Sequence, residues 1–151
     1  MKRRPDFPHL RERQRGAAAV EFALVAIVFF MLLIGIVEMG RVLFTWNAAA
    51  EATRYGARVA VVCDPTNKAA ILSRMQKIMP ALTTANVSVT YMPDPCSVAT
   101  CQQVSVSIQQ MEVTPLIPKW VGDLMVPPFT TTLPRESMLN AIDGHSNPVC
   151  T

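Results

Sequence analysis

Arg15-Gly16-Ala17-Ala18-Ala19-Val20-Glu21 leads without a break into FALVAIVFFMLLIGIV, residues 22–37, sixteen positions without a charge. Counted from Ala17, the apolar stretch is 21 residues long. A helix rises 1.5 Å per residue, so about 20 residues cover the ~30 Å hydrocarbon core of a bilayer. Residues 17–37 are therefore expected to form a transmembrane helix. Lys2, Arg3, Arg4, Arg11, Arg13 and Arg15 precede it, against only Asp6 and Glu12. The Lys/Arg-rich flank of a span stays in the cytoplasm, which predicts a single pass with residues 1–16 inside and the C-terminal part exported.

A cleaved secretory signal also has a basic start and an apolar centre, but its apolar region is usually about 7–15 residues and ends at a small-residue cleavage site. Here Glu38-Met39-Gly40-Arg41 follows. The helix is expected to stay in place as an anchor.

Past the span, no proline occurs from Ala17 to Asp64, so residues 38–62 are read as an extracytoplasmic continuation of the same helix. One rod of about 45 residues, roughly 65 Å, is the simplest outcome. Ala48, Ala52, Gly56 and Ala60 recur every fourth residue, with Ala49 and Ala57 adjoining, while Glu51 and Arg54 fall on another face. Such a seam of small residues permits close approach to another helix.

Cys63-Asp64-Pro65-Thr66-Asn67 breaks the rod, since Pro65 disfavours helix at Asp64 and Thr66 or Asn67 caps a new start. A second helix is expected over Lys68–Met79, its apolar stripe Ile71, Leu72, Met75, Ile78 and Met79, ended by Pro80. Val87, Val89 and Tyr91 then alternate with Ser88 and Thr90, and Val104, Val106 and Ile108 alternate with Ser105 and Ser107. These are two half-buried strands, the second read as running on to Val113. A third strand is assigned to Phe129–Leu133. Pro115 to Pro128 is read as an apolar loop with one helical turn, either covering a sheet face or forming a contact patch. The fold class is α+β: a long N-terminal transmembrane helix, then a small periplasmic domain, residues 63–151, with one further helix and a short antiparallel sheet.

Cys63, Cys96, Cys101 and Cys150 all follow the span, and an even count outside the cytoplasm reads as two disulfides. Three pairings exist, with free buried thiols as the alternative. The favoured set closes Cys96 with Cys101, worth about 2 kcal/mol by chain entropy, and leaves Cys63 with Cys150, worth roughly 4–5 kcal/mol. No Cys-x-x-Cys occurs, and the histidines are His9 and His145, so no metal site is assigned.

The net charge of +3 is a property of the leader. Of 14 Lys and Arg residues six precede Gly16, leaving eight against nine acidic ones, and no basic stripe with interleaved aromatics appears. Nucleic acid is not an expected partner. Glycine-rich phosphate loops, HExxH and a Ser-His-Asp set are absent from the sequence, which assigns no enzymatic activity, cofactor or small-molecule substrate.

Glu21 is the anomaly of the span. A carboxylate at the centre of a spanning helix costs about 2.5–3.5 kcal/mol on insertion scales, less near an end. On physical grounds alone it either snorkels to the headgroups or has a specific partner.

The arrangement of Arg15, Gly16 and Glu21 resembles the type IV prepilin processing site, cut after glycine, with glutamate as the fifth mature residue. Arg15-Gly16-AAAVEFALVAIVFFMLLIGIVEMGR together with WNAAAEATRYGARVAVV, over Arg15–Val62, resembles the TadE-like minor pseudopilins of tight-adherence (Flp-type) pilus systems. The resemblance implies cleavage of the 1–16 leader by a prepilin peptidase between Gly16 and Ala17, with Glu21 assisting recognition or subunit alignment. It also implies residence in a bacterial inner membrane, other pilin or pseudopilin subunits as partners, and a part in assembling an adhesive pilus. Ala17 departs from ordinary type IV pilins, where a bulky apolar residue is usual. The competing functional class is an uncleaved, membrane-anchored periplasmic adaptor or sensor.

Overall fold

The computed structural model describes residues 10–113 and 124–151. Helix α1 runs over Leu10–Val62 and α2 over Lys68–Gln76. Strands β1 (Val87–Met92), β2 (Gln103–Ile108), β3 (Met111–Val113), β4 (Leu124–Val126), β5 (Phe129–Pro134), β6 (Ala141–Ile142) and β7 (His145–Ser146) follow. The fold is α+β, as the sequence predicts. Two compact units divide at Gly40/Arg41.

The N-terminal unit is helical throughout its described part. Helix α1 is described from Leu10, so Leu10-Arg-Glu-Arg-Gln-Arg15, all good helix formers, continue it N-terminal to Ala17. From Gly16 to Val37 the side chains are exposed apart from half-buried Ala26. No part of the most apolar window of α1 is buried, so this helix is long and apolar enough to cross a membrane and has no protein core of its own to pack on.

The C-terminal unit, Arg41–Thr151, has a true core. The later turns of α1 supply Ala49, Ala52, Ala57 and Ala60, each without solvent exposure, and α2 adds Ile71 and Met75. A three-stranded antiparallel sheet of order β1-β2-β5 closes over them. Register places Val87 opposite Ile108, Val89 opposite Val106 and Tyr91 opposite Val104, while β2 pairs on its other side with β5 from Ile108↔Phe129 to Gln103↔Pro134. Alternation therefore turns Val104, Val106 and Ile108 inward, all fully buried. The opposite face carries hydroxyls, with Thr132 Oγ1 donating to Ser105 Oγ at 3.1 Å.

Helix α2 starts as its sequence prescribes. Asn67 is the N-cap, its side-chain oxygen accepting from Ala70 N at 3.4 Å, and Asp64 Oδ1 accepts from the backbone N–H and hydroxyl of Thr66. It ends at Gln76, short of Met79. Lys77 N donates to Arg74 O and Ile78 N to Met75 O, so the last turn tightens before Pro80.

Three sequence assignments are corrected. Strand β2 stops at Ile108 and does not continue to Val113: Gln109 and Gln110 separate it from β3, which belongs to a second sheet. Leu124–Val126, read as loop, is β4 and pairs with β3. Three residues ahead of Pro127-Pro128 carry too short a pattern to reveal period 2. The third strand extends one residue past Leu133 to Pro134. The helical turn assigned within Pro115–Pro128 falls mainly on residues 114–123, outside the described residues, as do residues 1–9 of the leader.

The C-terminus of α1 is capped from far along the chain. Glu136 N and Met138 N donate to Val61 O, Leu139 N donates to Val62 O, and Ser137 Oγ donates to Val62 O. These bonds satisfy carbonyls that a helix end leaves without intrahelical partners. Just before them, the Arg135 guanidinium donates to Val98 O and its backbone N–H to Gln102 O, pinning the loop between β1 and β2.

Candidate functional site

Gly16, Ala17 and Glu21 lie on one uninterrupted helical stretch of α1, all exposed. A Cβ added at Gly16 would meet nothing within 4 Å. The fold therefore gives no steric reason for glycine there, and glycine in a helix interior costs roughly 0.5–1 kcal/mol relative to alanine. The same cost eases local unwinding at the Gly16–Ala17 bond. Ala17 and Glu21 are four residues apart and so share a helix face. Phe22, next in sequence, is 75% exposed, which leaves the carboxylate beside apolar surface with no fold of its own to cover it.

The small-residue seam has a different setting. Ala48 is half-buried, and Ala52, Gly56 and Ala60 are buried in the core of the C-terminal unit. A Cβ on Gly56 would stand 2.6 Å from Met75 Sδ, 2.8 Å from Met75 Cγ and 3.3 Å from Val106 Cγ1. The close approach that the seam permits is thus taken up by α2 and β2 of the same domain.

The four cysteines form two disulfides. Cys63 is bonded to Cys150 across a sequence separation of 87, and Cys96 to Cys101 across 5. The longer bridge ties the end of α1 to the C-terminal tail, which is further held by Asn67 Nδ2 donating to Cys150 O and by Arg74 Nη2 donating to Pro148 O and Thr151 O. The shorter one closes the loop that Arg135 also holds.

Two groups near this end titrate abnormally. The Thr66 hydroxyl and backbone N–H hold the Asp64 carboxyl below its usual range. Burial, aided by the Asp64 charge, pushes the Tyr91 phenol up to about 12. Its hydroxyl is buried and without a hydrogen-bond partner among the described residues. Sequence reasoning singles out neither Asp64 nor Tyr91 chemically. The Asp-x-Thr spacing is the local signal that points to the first.

These features define a class: a protein with one candidate membrane anchor at its N-terminal end, followed by a small, disulfide-bonded α+β domain. Within that class, residues 16–58 match the family model for TadE-like protein, a match that begins at the glycine of the junction and ends about one turn before the end of α1. No curated protein and no solved structure matches the chain.

Proposed function

We propose that the chain is a minor pseudopilin. It inserts in the bacterial inner membrane with residues 1–16 in the cytoplasm and its C-terminal domain in the periplasm. A prepilin peptidase removes the leader after Gly16, and the shortened chain then takes part in assembling an adhesive pilus with other pilin or pseudopilin subunits. It acts as substrate and structural subunit, without an active site of its own.

The observation that carries this reading is the exposed Gly16 junction at the head of the TadE-like match, where nothing in the fold calls for glycine. A peptidase does call for it. Cleavage needs an extended backbone in a protease cleft, and glycine combines the least steric bulk with the lowest cost of leaving the helix. Gly16 supplies the carbonyl of the cut bond and Ala17 the new α-ammonium. Glu21, one turn on, offsets the charge of a neighbouring subunit's Ala17 ammonium, so that two groups costly to bury separately are buried together.

Mass spectrometry of the membrane-extracted chain tests the proposal. Cells with an active prepilin peptidase are expected to yield an N-terminus at Ala17. An intact leader under those conditions would overturn it in favour of the uncleaved adaptor. Glu21→Gln is expected to insert normally yet impair processing or piliation, and normal processing with normal piliation would reduce Glu21 to a snorkelling residue.

A further inference from the structure

The exposed apolar surface of α1 does not stop at Val37. Large exposed apolar side chains continue through Met39, Leu43 (47% exposed), Phe44 (75%) and Trp46 (36%), and the next one in the chain is Met92. Phe44 is as open as Phe22 inside the expected span. Immediately afterwards the helix changes character: Ala49, Ala52 and Thr53 are buried in the domain core. Val42 is already 3% exposed, and helical spacing puts Phe44 on the opposite side of α1 from it. Leu43, Phe44 and Trp46 thus form an apolar collar that the folded domain leaves uncovered.

From Val20 to Trp46 the stretch that carries large exposed apolar side chains, with Glu21, Glu38 and Arg41 as its charged positions, covers about 27 residues, at most ~40 Å of helix. That exceeds the ~30 Å hydrocarbon core and matches the ~40–45 Å of a bilayer counted with its headgroup regions. The residue types shift accordingly. Residues 22–37 are aliphatic or Phe apart from Met31 and Gly35, whereas the stretch ends on Trp46, whose indole combines an apolar body with an N–H donor, and then Asn47. Tryptophan at the end of a span concentrates at headgroup level for this reason.

We infer that Leu43, Phe44 and Trp46 form a membrane-interface collar that seats the first turns of the domain in the lipid headgroup layer. The occupant of this surface is the bilayer, because the collar resumes the exposed apolar surface of α1 directly after the short polar step at Glu38 and Arg41 and ends where the bilayer's interfacial zone would. The inference rests on residues 17–37 spanning the membrane, and extends it to residues that the span alone leaves in water.

Trp46 reports directly on the claim. The chain has two tryptophans, so W120F leaves Trp46 as the sole fluorophore in full-length protein. In phosphatidylcholine nanodiscs carrying lipids doxyl-labelled either near the headgroup or near the acyl terminus, Trp46 emission is expected to be lost chiefly to the shallow label. The reciprocal variant W46F, which retains Trp120, is expected to lack the shallow-quenched component of wild-type emission, so the test does not depend on W120F folding normally. A depth control carries Phe29→Trp with W46F and W120F and is expected to be quenched by the deep label. Quenching of the Phe29→Trp reporter without any of Trp46 would overturn the collar while leaving the span intact, whether water or another protein covers the surface. Failure of both reporters would instead remove the span reading and the collar with it.

Discussion

Gly16 and Gly56 stand in the same helix in opposite surroundings. Around Gly16 a Cβ meets nothing within 4 Å; at Gly56 it would fall 2.6 Å from Met75 Sδ. One glycine is explained by the fold that contains it, and the other by nothing in that fold. The difference separates the two units of the chain. Small residues in the C-terminal unit serve internal packing, while the exposed N-terminal stretch carries residues whose reasons, on our proposal, lie in other molecules: lipid for its apolar side chains, a peptidase for Gly16 and a neighbouring subunit for Glu21.

The largest expected effect breaks this comparison at its first member. Gly16→Leu is expected to abolish leader removal, giving an uncut chain by mass spectrometry, while the thermal unfolding midpoint of the C-terminal domain stays at the wild-type value. A chain that is still cut at the same bond, or a domain that loses stability, would mean that Gly16 is not a recognition residue.

Next in size is the Cys63–Cys150 bridge, which closes most of the C-terminal unit into one loop. Replacing both cysteines by alanine is expected to remove roughly 4–5 kcal/mol on the chain-entropy model, read as a fall in denaturant midpoint of the detergent-solubilised full chain. The same replacement of Cys96 and Cys101, which enclose a short loop, is expected to cost about 2 kcal/mol. Equal losses for the two pairs would mean that native-state packing around the cystines, and not loop entropy, sets what each bridge contributes.

Gly56→Leu sharpens the comparison from its second member. Met75 and Val106 are both fully buried, so the added side chain has no free volume to enter. Overpacking of this kind costs about 1–3 kcal/mol, and more when backbone must shift. Leader removal is expected to proceed at the wild-type rate in this variant, since its damage is confined to the domain core. A variant of unchanged stability would show that Met75 swings aside without cost.

What the sequence reveals follows from how local each signal is. The charge-free run at residues 22–37, the Asn67 cap, and the alternation at Val87–Tyr91 and Val104–Ile108 each need only a few neighbouring residues, and each forms the element expected. The end of α2 departs from its pattern because Ile78 and Met79 keep the apolar period after Pro80 has already tightened the last turn. Strands β3 and β4 are three residues each, too short for a period to register. The β6–β7 hairpin does carry a readable signal: Asp143-Gly144, both at positive φ, is the dipeptide that two-residue hairpin turns favour. By contrast, no local pattern announces that Glu136–Leu139 caps α1, because donors and acceptors lie some 75 residues apart in sequence. The Gly16–Glu21 junction is legible as a motif, and on our proposal its chemistry stays outside the fold, because a substrate site is completed by the enzyme that reads it.

The smallest effect concerns Tyr91, a polar group of the C-terminal unit that no described residue satisfies. Its phenol ionises near 10 in an unfolded chain and is pushed up to about 12 here, first by burial and then by the Asp64 carboxylate. The raised value means that the folded state keeps its proton where the unfolded state has lost it. Stability from this group is complete below pH 10 and is lost as pH rises from about 10 toward 12. Tyr91→Phe removes both the titration and a buried hydroxyl without a partner among the described residues. The variant is expected to match or slightly exceed wild-type stability at pH 7, since deleting an unsatisfied donor is close to neutral or favourable. Between pH 10 and 12 its denaturant midpoint is expected to fall less steeply than that of the wild type, with urea used at constant ionic strength so that surface charges are screened equally in both. Parallel curves for the two chains would locate the alkaline loss in other groups and leave the Tyr91 hydroxyl satisfied by a partner such as a buried water.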